Sequence, residues 1–189
     1  MEYLYELRIP KDRIGALVGK EGQIKKEIET QTKTKIKIDS KEGDVFISGE
    51  DAIGLYSCRE VIRAIGRGFN PEVAELLLKQ DYSFELIDLK DYAGKSKDAL
   101  LRIKGRVIGS EGRTRALIEE LTETYVCVYG KTIGIIGLPE YTFLAKEAVE
   151  KLLGGSPHSS VYKFLEKKRR AIKRANIIGK DLDYSIKKS

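Results

Sequence analysis

Two patterns of apolar residues follow one another in the first half of the chain. In some stretches apolar residues occur at every second position, and in others they recur every three to four positions, as on one face of a helix. Residues 3–9 place Tyr, Tyr, Leu and Ile at alternate positions and therefore predict a β-strand. A short helix is predicted over residues 11–18. A second helix is predicted over residues 22–31, because Ile24 and Ile28 lie one turn apart on a single face.

A β-hairpin and a third helix are predicted to follow. Residues 35–38 alternate Lys and Ile, residues 45–47 are apolar or aromatic, and Gly43 lies in the polar turn between them. From residue 49 the apolar residues again have the spacing of one helix face, which predicts a helix. Its first turn is acidic, which the helix dipole favours. The predicted order is strand, helix, helix, strand, strand, helix.

The second half of the chain repeats this order. The pattern predicts a strand over residues 82–89, helices over 98–108 and 113–123, a hairpin over 125–136 and a last helix over 139–153. A chain that repeats one supersecondary pattern is expected to fold as two copies of one small domain.

A short glycine motif marks the same place in both halves. Gly19-Lys20-Glu21-Gly22, called here the first tetrad, recurs 90 residues later as Gly109-Ser110-Glu111-Gly112, the second tetrad. At the same offset Ile28 matches Ile118, whereas Gly49 matches Gly137 at an offset of 88. The second copy has therefore lost two residues between its two hairpin strands, where a turn tolerates a deletion.

Length and composition agree with two small domains. The chain has 189 residues, and 41% of them are hydrophobic, so that each half can bury a modest core. We expect an α+β protein in which each domain has a three-stranded antiparallel sheet covered by helices. The predicted limits are a first domain over residues 1–68, a helical connector over 69–80, a second domain over 81–155 and a C-terminal basic helix and tail over 156–189.

Positive charge is concentrated near the C-terminus. Residues 163–189 contain ten Lys or Arg and three acidic residues, a surplus of seven, whereas the whole chain carries a net +6. A helix predicted over residues 160–175 places Lys167, Arg170 and Arg174 on one face. Such a stripe is commonly no more than a solvated surface, but beside nucleic-acid-binding domains it favours contact with phosphates.

The remaining motifs favour neither an enzyme nor a metal protein. Two short sequences end like a phosphate-binding P-loop, but each lacks the required preceding glycine. The single histidine, His158, has no metal-binding residues at suitable spacing and is expected to face solvent in a turn. We therefore predict no catalytic residue, no metal and no cofactor.

The cysteines and the hydropathy pattern point to the cytoplasm. Cys58 and Cys127 both lie in apolar runs, which indicates reduced, buried thiols. No stretch reaches the roughly 18 consecutive apolar residues of a membrane helix. We expect a cytoplasmic protein that does not bind membranes.

A Gly-x-x-Gly turn between two helices, with an alternating hairpin after it, resembles the KH domain. In that family the loop clamps the backbone of about four nucleotides of single-stranded nucleic acid. Eighteen residues precede Gly19, which is room for one strand and one short helix and matches the type I arrangement. The acidic residues Glu21 and Glu111 are expected to favour the positive end of the helix that follows.

The resemblance implies two RNA-binding sites. The glycines would let the chain approach phosphates closely, and side chains nearby would add charge or line a groove for bases. In the first copy the expected contacts are Gly19, Lys20, Glu21, Gly22, Gln23, Lys25, Lys26 and Ile36. In the second copy they are Arg106, Gly109, Ser110, Glu111, Gly112, Arg113, Thr114 and Arg115. Lys167, Arg170 and Arg174 would extend the contact surface.

The run from Arg106 to Arg115 and the basic helix after it are similar to archaeal ribosome-biogenesis proteins related to the eukaryotic "partner of Nob one". This resemblance implies a non-catalytic adaptor that binds the 3′ end of 16S ribosomal RNA during pre-rRNA processing. It also implies two protein partners: the endonuclease that trims this end and the alpha subunit of translation initiation factor 2. The sequence leaves two alternatives open, a protein-interaction scaffold with little RNA binding and the RNA-binding subunit of an RNA-degrading complex.

Overall fold

The computed structural model describes the backbone of residues 3–186 and the side chains of residues 3–178. Lys187 and Lys188, two of the basic residues counted above, lie outside the described residues. The first copy has the predicted order of elements: β1 (Tyr3–Arg8), α1 (Lys11–Val18), α2 (Gln23–Thr32), β2 (Lys35–Asp39), β3 (Asp44–Gly49) and α3 (Ala52–Gly66).

A helix and a 3-10 turn connect the two copies: α4 (Pro71–Ala74) and Glu75–Leu78. The second copy contains one short helix, α5, that the sequence pattern did not predict. Its elements are β4 (Ser83–Asp88), α5 (Lys90–Ala93), α6 (Lys97–Ile108), α7 (Arg113–Thr122), β5 (Tyr125–Tyr129), β6 (Thr132–Gly137) and α8 (Pro139–Leu153). The turn between β2 and β3 spans residues 40–43 and the turn between β5 and β6 spans 130–131, so the predicted two-residue deletion lies in this turn.

Each copy forms a three-stranded antiparallel sheet, in the orders β1-β3-β2 and β4-β6-β5. The predicted α+β architecture of two type I KH folds is confirmed. In the first sheet Ile47 lies opposite both Tyr5 and Ile36, and it faces the helices, where it is fully buried. Ile135 has the same place in the second sheet, between Glu85 and Val126.

The faces of the two sheets that carry no helices differ in polarity. By strand alternation, the outer face of the first sheet carries charged residues such as Glu6, Lys35 and Lys37, and it is open to solvent. The outer face of the second sheet carries Phe84, Cys127, Gly134 and Ile136, among others. Ile136 is fully buried and belongs to the hydrophobic cluster of the first copy. The second sheet therefore packs its outer face against the first domain.

Aromatic rings form the centre of this junction. Phe69, which is 4% exposed, makes an edge-to-face contact with Phe84 at a centroid distance of 5.9 Å. Gly134 leaves room for them, because a Cβ there would lie 2.6 Å from the Phe69 ring. At the rim of the junction the Tyr129 hydroxyl donates to Asp12 Oδ2 at 2.6 Å.

The last helix, α9 (His158–Ile186), is longer than the 160–175 that was predicted. Val161 and Leu165 anchor it in the core of the second copy, where it packs against α7 and α8. No helix within residues 3–186 is long and apolar enough to cross a membrane. Both cysteines are free thiols, and burial raises the pKa of Cys58 and of Cys127.

Candidate nucleic-acid interface

The two tetrads have the same backbone conformation. Each begins with a glycine at positive φ, at 72° for Gly19 and 73° for Gly109. The third residue is a glutamate in the left-handed region, at φ 53° in Glu21 and 54° in Glu111. The fourth is again a glycine, at φ 77° in Gly22 and 75° in Gly112. The left-handed conformation is strained for any residue other than glycine. Because a glutamate adopts it at the same place in both copies, the surrounding structure must impose this loop conformation.

The first and last glycines of each tetrad have different roles. A Cβ on Gly109 would lie 2.2 Å from Thr114 Oγ1, and one on Gly19 would lie 2.4 Å from an Ile24 side-chain atom, so both positions are packed from within. A Cβ on Gly22 or Gly112 would meet no atom of the described chain within 4 Å. The last glycines therefore face open space, where a ligand can approach the backbone closely.

The helices α2 and α7 begin without a side-chain cap, although their first amides, those of Gln23 and Arg113, donate to the Lys20 and Ser110 carbonyls. Both helices begin directly after the tetrad, with Gly22 and Gly112 as N-cap residues, and no described side chain caps either of them. Unpaired amides and the positive end of the helix dipole make such a terminus a site for phosphate. The acidic tetrad residues do not cap these helices, and Glu111 instead pairs with Arg113 at 2.9 Å.

A carboxylate ties each tetrad helix to the edge strand beside it. The Ile36 amide donates to Glu29 Oε1 at 2.7 Å, and the Val126 amide donates to Glu119 Oε1 at the same distance. The sequence reasoning missed both glutamates, although they lie 90 residues apart within the repeat. Because outward-facing backbone groups alternate along a strand, Ile38 two residues later also directs its amide and carbonyl away from β3. These groups line the side of β2 that faces α2, called here the first groove, and the matching side of β5, which faces α7, is called the second groove.

Ile36 itself does not line this groove with its side chain. It is 3% exposed and belongs to the core of the first copy, which corrects the expectation that it contacts a base. The partly buried Ile24 and Ile38 pack against that core from the groove side and are the apolar side chains available to a base. The burial follows from strand alternation, since Ile36 and Ile47 face the helices together.

The first tetrad has several cations near it. Lys20, Gln23 and Lys26 are exposed, and Lys25 is half-buried, with its Nζ 3.8 Å from Glu29 Oε1. The structure thus places the first-copy residues other than Ile36 at one surface around the tetrad. These side chains can reach phosphates held at the helix N-terminus.

The second tetrad has arginines in place of lysines. Arg113 and Arg115 are exposed, as is Ser110, and Arg115 Nε lies 3.9 Å from Glu119. Thr114 differs from the prediction because it is 4% exposed and faces inward. Its hydroxyl shares a hydrogen bond of 3.0 Å with the Tyr162 hydroxyl of α9. Thr114 therefore supports the second tetrad from beneath.

Arg106 has a structural role that the sequence did not indicate. Its Nε donates to the Leu152 carbonyl at 2.9 Å and its Nη2 to the Ser156 carbonyl at 2.6 Å, which closes the end of α8. Arg13 closes the end of α3 in the same way. These contacts place Arg106 outside the residues that we propose for RNA.

His158 also differs from its predicted environment. Its Nε2 is 2.8 Å from the Arg106 carbonyl, which requires the ring to donate its proton there, and the side chain is half-buried. The expectation of a solvent-facing histidine is wrong, because the ring holds the start of α9 against α6. No three His, Cys, Asp or Glu side chains in the described part of the chain come together in a group that could hold a metal ion.

The basic stripe of α9 faces away from the domain. Lys167, Arg170 and Arg174 are exposed, and helical spacing places them opposite the buried Leu165. Among the described side chains, no hydrogen bond or ion pair joins this stripe to the second tetrad. The stripe forms a separate positive surface on the far side of the helix.

The Thr114 contact predicts that α9 affects the second tetrad through Tyr162. Replacing Tyr162 with Phe removes one hydroxyl and leaves the buried Thr114 hydroxyl without that partner, which should destabilise the protein by about 1 kcal/mol. We expect RNA affinity at the second groove to fall roughly threefold and affinity at the first to stay unchanged, measured by amide chemical shifts during titration. Tyr92→Phe, at a 41% exposed tyrosine, is the matched control. Equal affinities for both variants would contradict a link between α9 and the tetrad.

Two type I KH folds, each with an intact tetrad between two helices, define a tandem KH-domain protein. Sequence comparisons agree with this class. A profile described as "KH domain" matches residues 4–64, and one described as "Eukaryotic type KH-domain (KH-domain type I)" matches residues 83–170. The second match extends across α8 into the first half of α9.

Similar proteins are found in archaea and eukaryotes. A KH domain-containing protein of Methanocaldococcus jannaschii is 50% identical, over 89% of this chain and 75% of the relative. The RNA-binding protein pno1 of Dictyostelium discoideum is 33% identical, over 85% of this chain and 70% of the relative. The chain belongs to the PNO1-related family of KH-domain proteins.

Solved structures have the same fold. Dim2p from Pyrococcus horikoshii superposes with a TM-score of 0.81 at 50% identity, covering 87% of this chain and 99% of that one. A protein of unknown function from Aeropyrum pernix gives 0.92 at 38% identity, covering 97% and 99%. The same Pyrococcus protein in a complex with a/eIF2alpha and rRNA gives 0.84 at 48% identity, covering 90% and 96%.

Proposed function

We propose that this chain is a non-catalytic RNA-binding protein of pre-rRNA processing, and that its two tetrads clamp single-stranded RNA. The observation that carries the proposal is the open backbone at Gly22 and Gly112, each followed directly by a helix whose N-terminus has no side-chain cap. This geometry accepts phosphates without help from a metal. The names of the relatives, an RNA-binding protein and a pre-rRNA-processing protein, support the same role.

The RNA that we propose is the 3′ end region of small-subunit ribosomal RNA. Support comes from the similar Pyrococcus protein, whose structure was solved together with rRNA and a/eIF2alpha. We extend both partners to this chain, so that it would act as an adaptor that presents an rRNA end to assembly factors and to a trimming endonuclease. Residues 19–26, and residues 109–113 with Arg115, would form the clamps.

Salt dependence tests the clamp itself. Single-stranded RNA held through its phosphates should lose affinity with a slope of log K on log salt of about −0.7 for each phosphate, or about −3 for four contacts in one groove. Binding of a 12-nucleotide RNA from the 3′ end of small-subunit rRNA, measured by fluorescence anisotropy between about 50 and 300 mM KCl, should show this slope. A slope near zero would contradict phosphate clamping.

One contact favours the alternative of a protein-interaction scaffold. The Arg113 guanidinium beside the second tetrad is paired with Glu111, which weakens its attraction for phosphate. If the scaffold role is correct, partners recovered with the chain from cells should be the same before and after nuclease treatment. If the chain is an RNA adaptor, nuclease should remove ribosomal partners.

A further inference from the structure

A cleft of about 680 Å³ lies between β1 and α3 of the first copy, at the sheet edge opposite the strand that lines the RNA groove. Five of its lining residues are basic and two are acidic: Arg8, Lys11, Arg59, Arg63 and Arg67 against Glu6 and Glu42. Neither tetrad contributes to it. The cleft is therefore a different site from the two tetrads.

The ion pairs leave part of this positive charge free. Arg8 is offset by Glu42 and Asp44, each at 3.0 Å. Arg59 and Arg63 share a single carboxylate, Glu60, at 3.8 and 3.3 Å. Within the described side chains Lys11 and Arg67 form no ion pair. The cleft is thus positively charged around Lys11, Arg59 and Arg67, and it fits an anionic ligand.

Aromatic rings accompany these cations. The Arg59 guanidinium lies 4.6 Å from the centroid of the Tyr5 ring, and Tyr5 is 38% exposed. One turn earlier on α3, Tyr56 is 60% exposed. Exposed aromatic rings beside cations bind bases by stacking while the cations hold phosphates, which is how single strands are bound without regard to sequence.

The second copy shows that the fold does not require this chemistry. At the repeat offset of 88, Arg59 corresponds to Glu147 and Arg63 to Lys151. The equivalent of Tyr5 in the strand register is Glu85, which pairs with Lys146 at 2.9 Å. The same cleft position in the second copy is therefore charge-balanced, with Glu85 in the place of Tyr5. Arg59 and its contact with the Tyr5 ring are therefore specific to the first copy.

One lining residue of the cleft contacts the second domain at the junction. Arg63, which lines it, lies 5.3 Å from the centroid of the Phe84 ring of the second copy. Near the junction, Tyr129 at the end of β5 donates to Asp12 at the start of α1. Because β5 lines the second groove, an RNA strand that leaves this groove past Tyr129 reaches Lys11 and the cleft next.

Cation positions along β5 agree with this path. The Arg13 guanidinium lies 5.9 Å from the centroid of the Tyr129 ring at the end of β5, and Arg115 lies 3.9 Å from Glu119, which accepts from the Val126 amide of β5. Arg115 belongs to the second groove and Arg13 to the first copy. Positive charge thus continues across the junction from one domain to the other.

We propose that the cleft between β1 and α3 is a third single-stranded RNA surface, which holds the phosphates and bases of a strand that continues from the second groove. It would bind without sequence preference and would lengthen the RNA that the protein covers. This inference rests on the proposed function, since it requires RNA in the second groove.

The test compares short and long RNA on a variant of the cleft. Lys11→Glu/Arg59→Glu/Arg67→Glu reverses three cleft charges, and Lys90→Glu/Lys95→Glu/Lys97→Glu makes the same change in net charge at exposed positions of the second copy. The probes are a uridine 5-mer, which fills one groove, and a uridine 20-mer. We expect the cleft variant to bind the 20-mer at least tenfold more weakly than the control variant, and both variants to bind the 5-mer equally.

The outcomes separate the two proposals. If both variants bind the 20-mer equally, the cleft does not hold RNA, while binding of the 5-mer still supports the clamp. If the unmodified protein binds neither RNA, the proposed function fails and the third surface fails with it. Because Arg59 stacks on Tyr5, Lys11→Glu/Arg67→Glu is a second variant that leaves this packing intact. This variant should bind the 20-mer about fivefold more weakly than the control variant and the 5-mer equally well. An unchanged affinity for the 20-mer would also overturn the proposal.

Discussion

Replacing Gly112 with Asp should reduce RNA affinity at the second groove by at least about 100-fold, or about 2.7 kcal/mol. The new carboxylate would occupy the open space in front of the α7 amides, where it would satisfy the helix terminus and repel phosphate. The cost to the fold should be small, about 1–2 kcal/mol, because only the left-handed φ of 75° is strained. Anisotropy titration with the 12-nucleotide rRNA fragment measures the change.

Two control variants separate charge from strain. Gly112→Ala has the same backbone strain without a carboxylate, and it should retain most of the affinity. Gly94→Asp places a carboxylate at another open glycine of positive φ, at the far end of α6, and it should bind RNA as the unmodified protein does. If Gly112→Asp binds as tightly as Gly112→Ala, phosphate does not contact the tetrad backbone. Gly109 is unsuitable for this test because its Cβ would overlap Thr114 and disturb the loop itself.

Replacing Phe69 with Ala should lower the free energy of unfolding by about 3–5 kcal/mol, the usual loss for a large buried aromatic side chain. Phe69 is 4% exposed, and its ring contacts Phe84 in the junction between the two copies. The cavity would lie beside Gly134, which has no side chain to fill it. Urea-induced unfolding followed by circular dichroism measures this loss.

An exposed phenylalanine provides the control for this prediction. Phe143 on α8 is 69% exposed, and its replacement by Ala should change stability by less than about 0.5 kcal/mol. If Phe69→Ala were equally mild, the outer face of the second sheet would not be packed against the first domain in solution. The proposed path from the second groove to the first-copy cleft would then lose its structural basis, although each tetrad would be unaffected.

Local patterns predicted most of the fold. Tetrad glycines, hairpin alternation and helical spacing are determined by neighbouring residues, so the elements of both copies and the deletion between β5 and β6 were predicted from sequence. The helix α5 was missed because four residues are too few to show a period. The true length of α9 was missed at its C-terminal end, where the prediction stopped at residue 175.

Long-range contacts could not be predicted in this way. Arg106 and Thr114 lie in the most distinctive motif of the chain, yet their partners Leu152 and Tyr162 are far away in sequence. A positive charge near a glycine tetrad is consistent with RNA contact and with closing a helix end, and only the fold distinguishes these roles. The glutamates Glu29 and Glu119 were missed although their partners are only seven residues away, because the sequence pattern does not show which polar side chain of a helix bonds to the next strand.

One signal in the sequence did indicate the junction. Lys35-Ile36-Lys37-Ile38 alternates polar and apolar residues, whereas the matching Tyr125-Val126-Cys127-Val128 is apolar throughout. Continuous hydrophobicity is typical of a strand that is covered on both faces. The second sheet is covered in this way, with helices on one side and the first domain on the other.

Photo-crosslinking gives the most direct test of the RNA clamps. The 3′-terminal fragment of small-subunit rRNA, with 4-thiouridine at its uridine positions, would be irradiated with the full chain, and crosslinked peptides would be identified by mass spectrometry. The clamps predict crosslinks within residues 19–26 and 109–115 and along the strand edges at 36–38 and 126–128. Crosslinks confined to α9 or to the outer face of the first sheet, with none at either tetrad, would contradict the account.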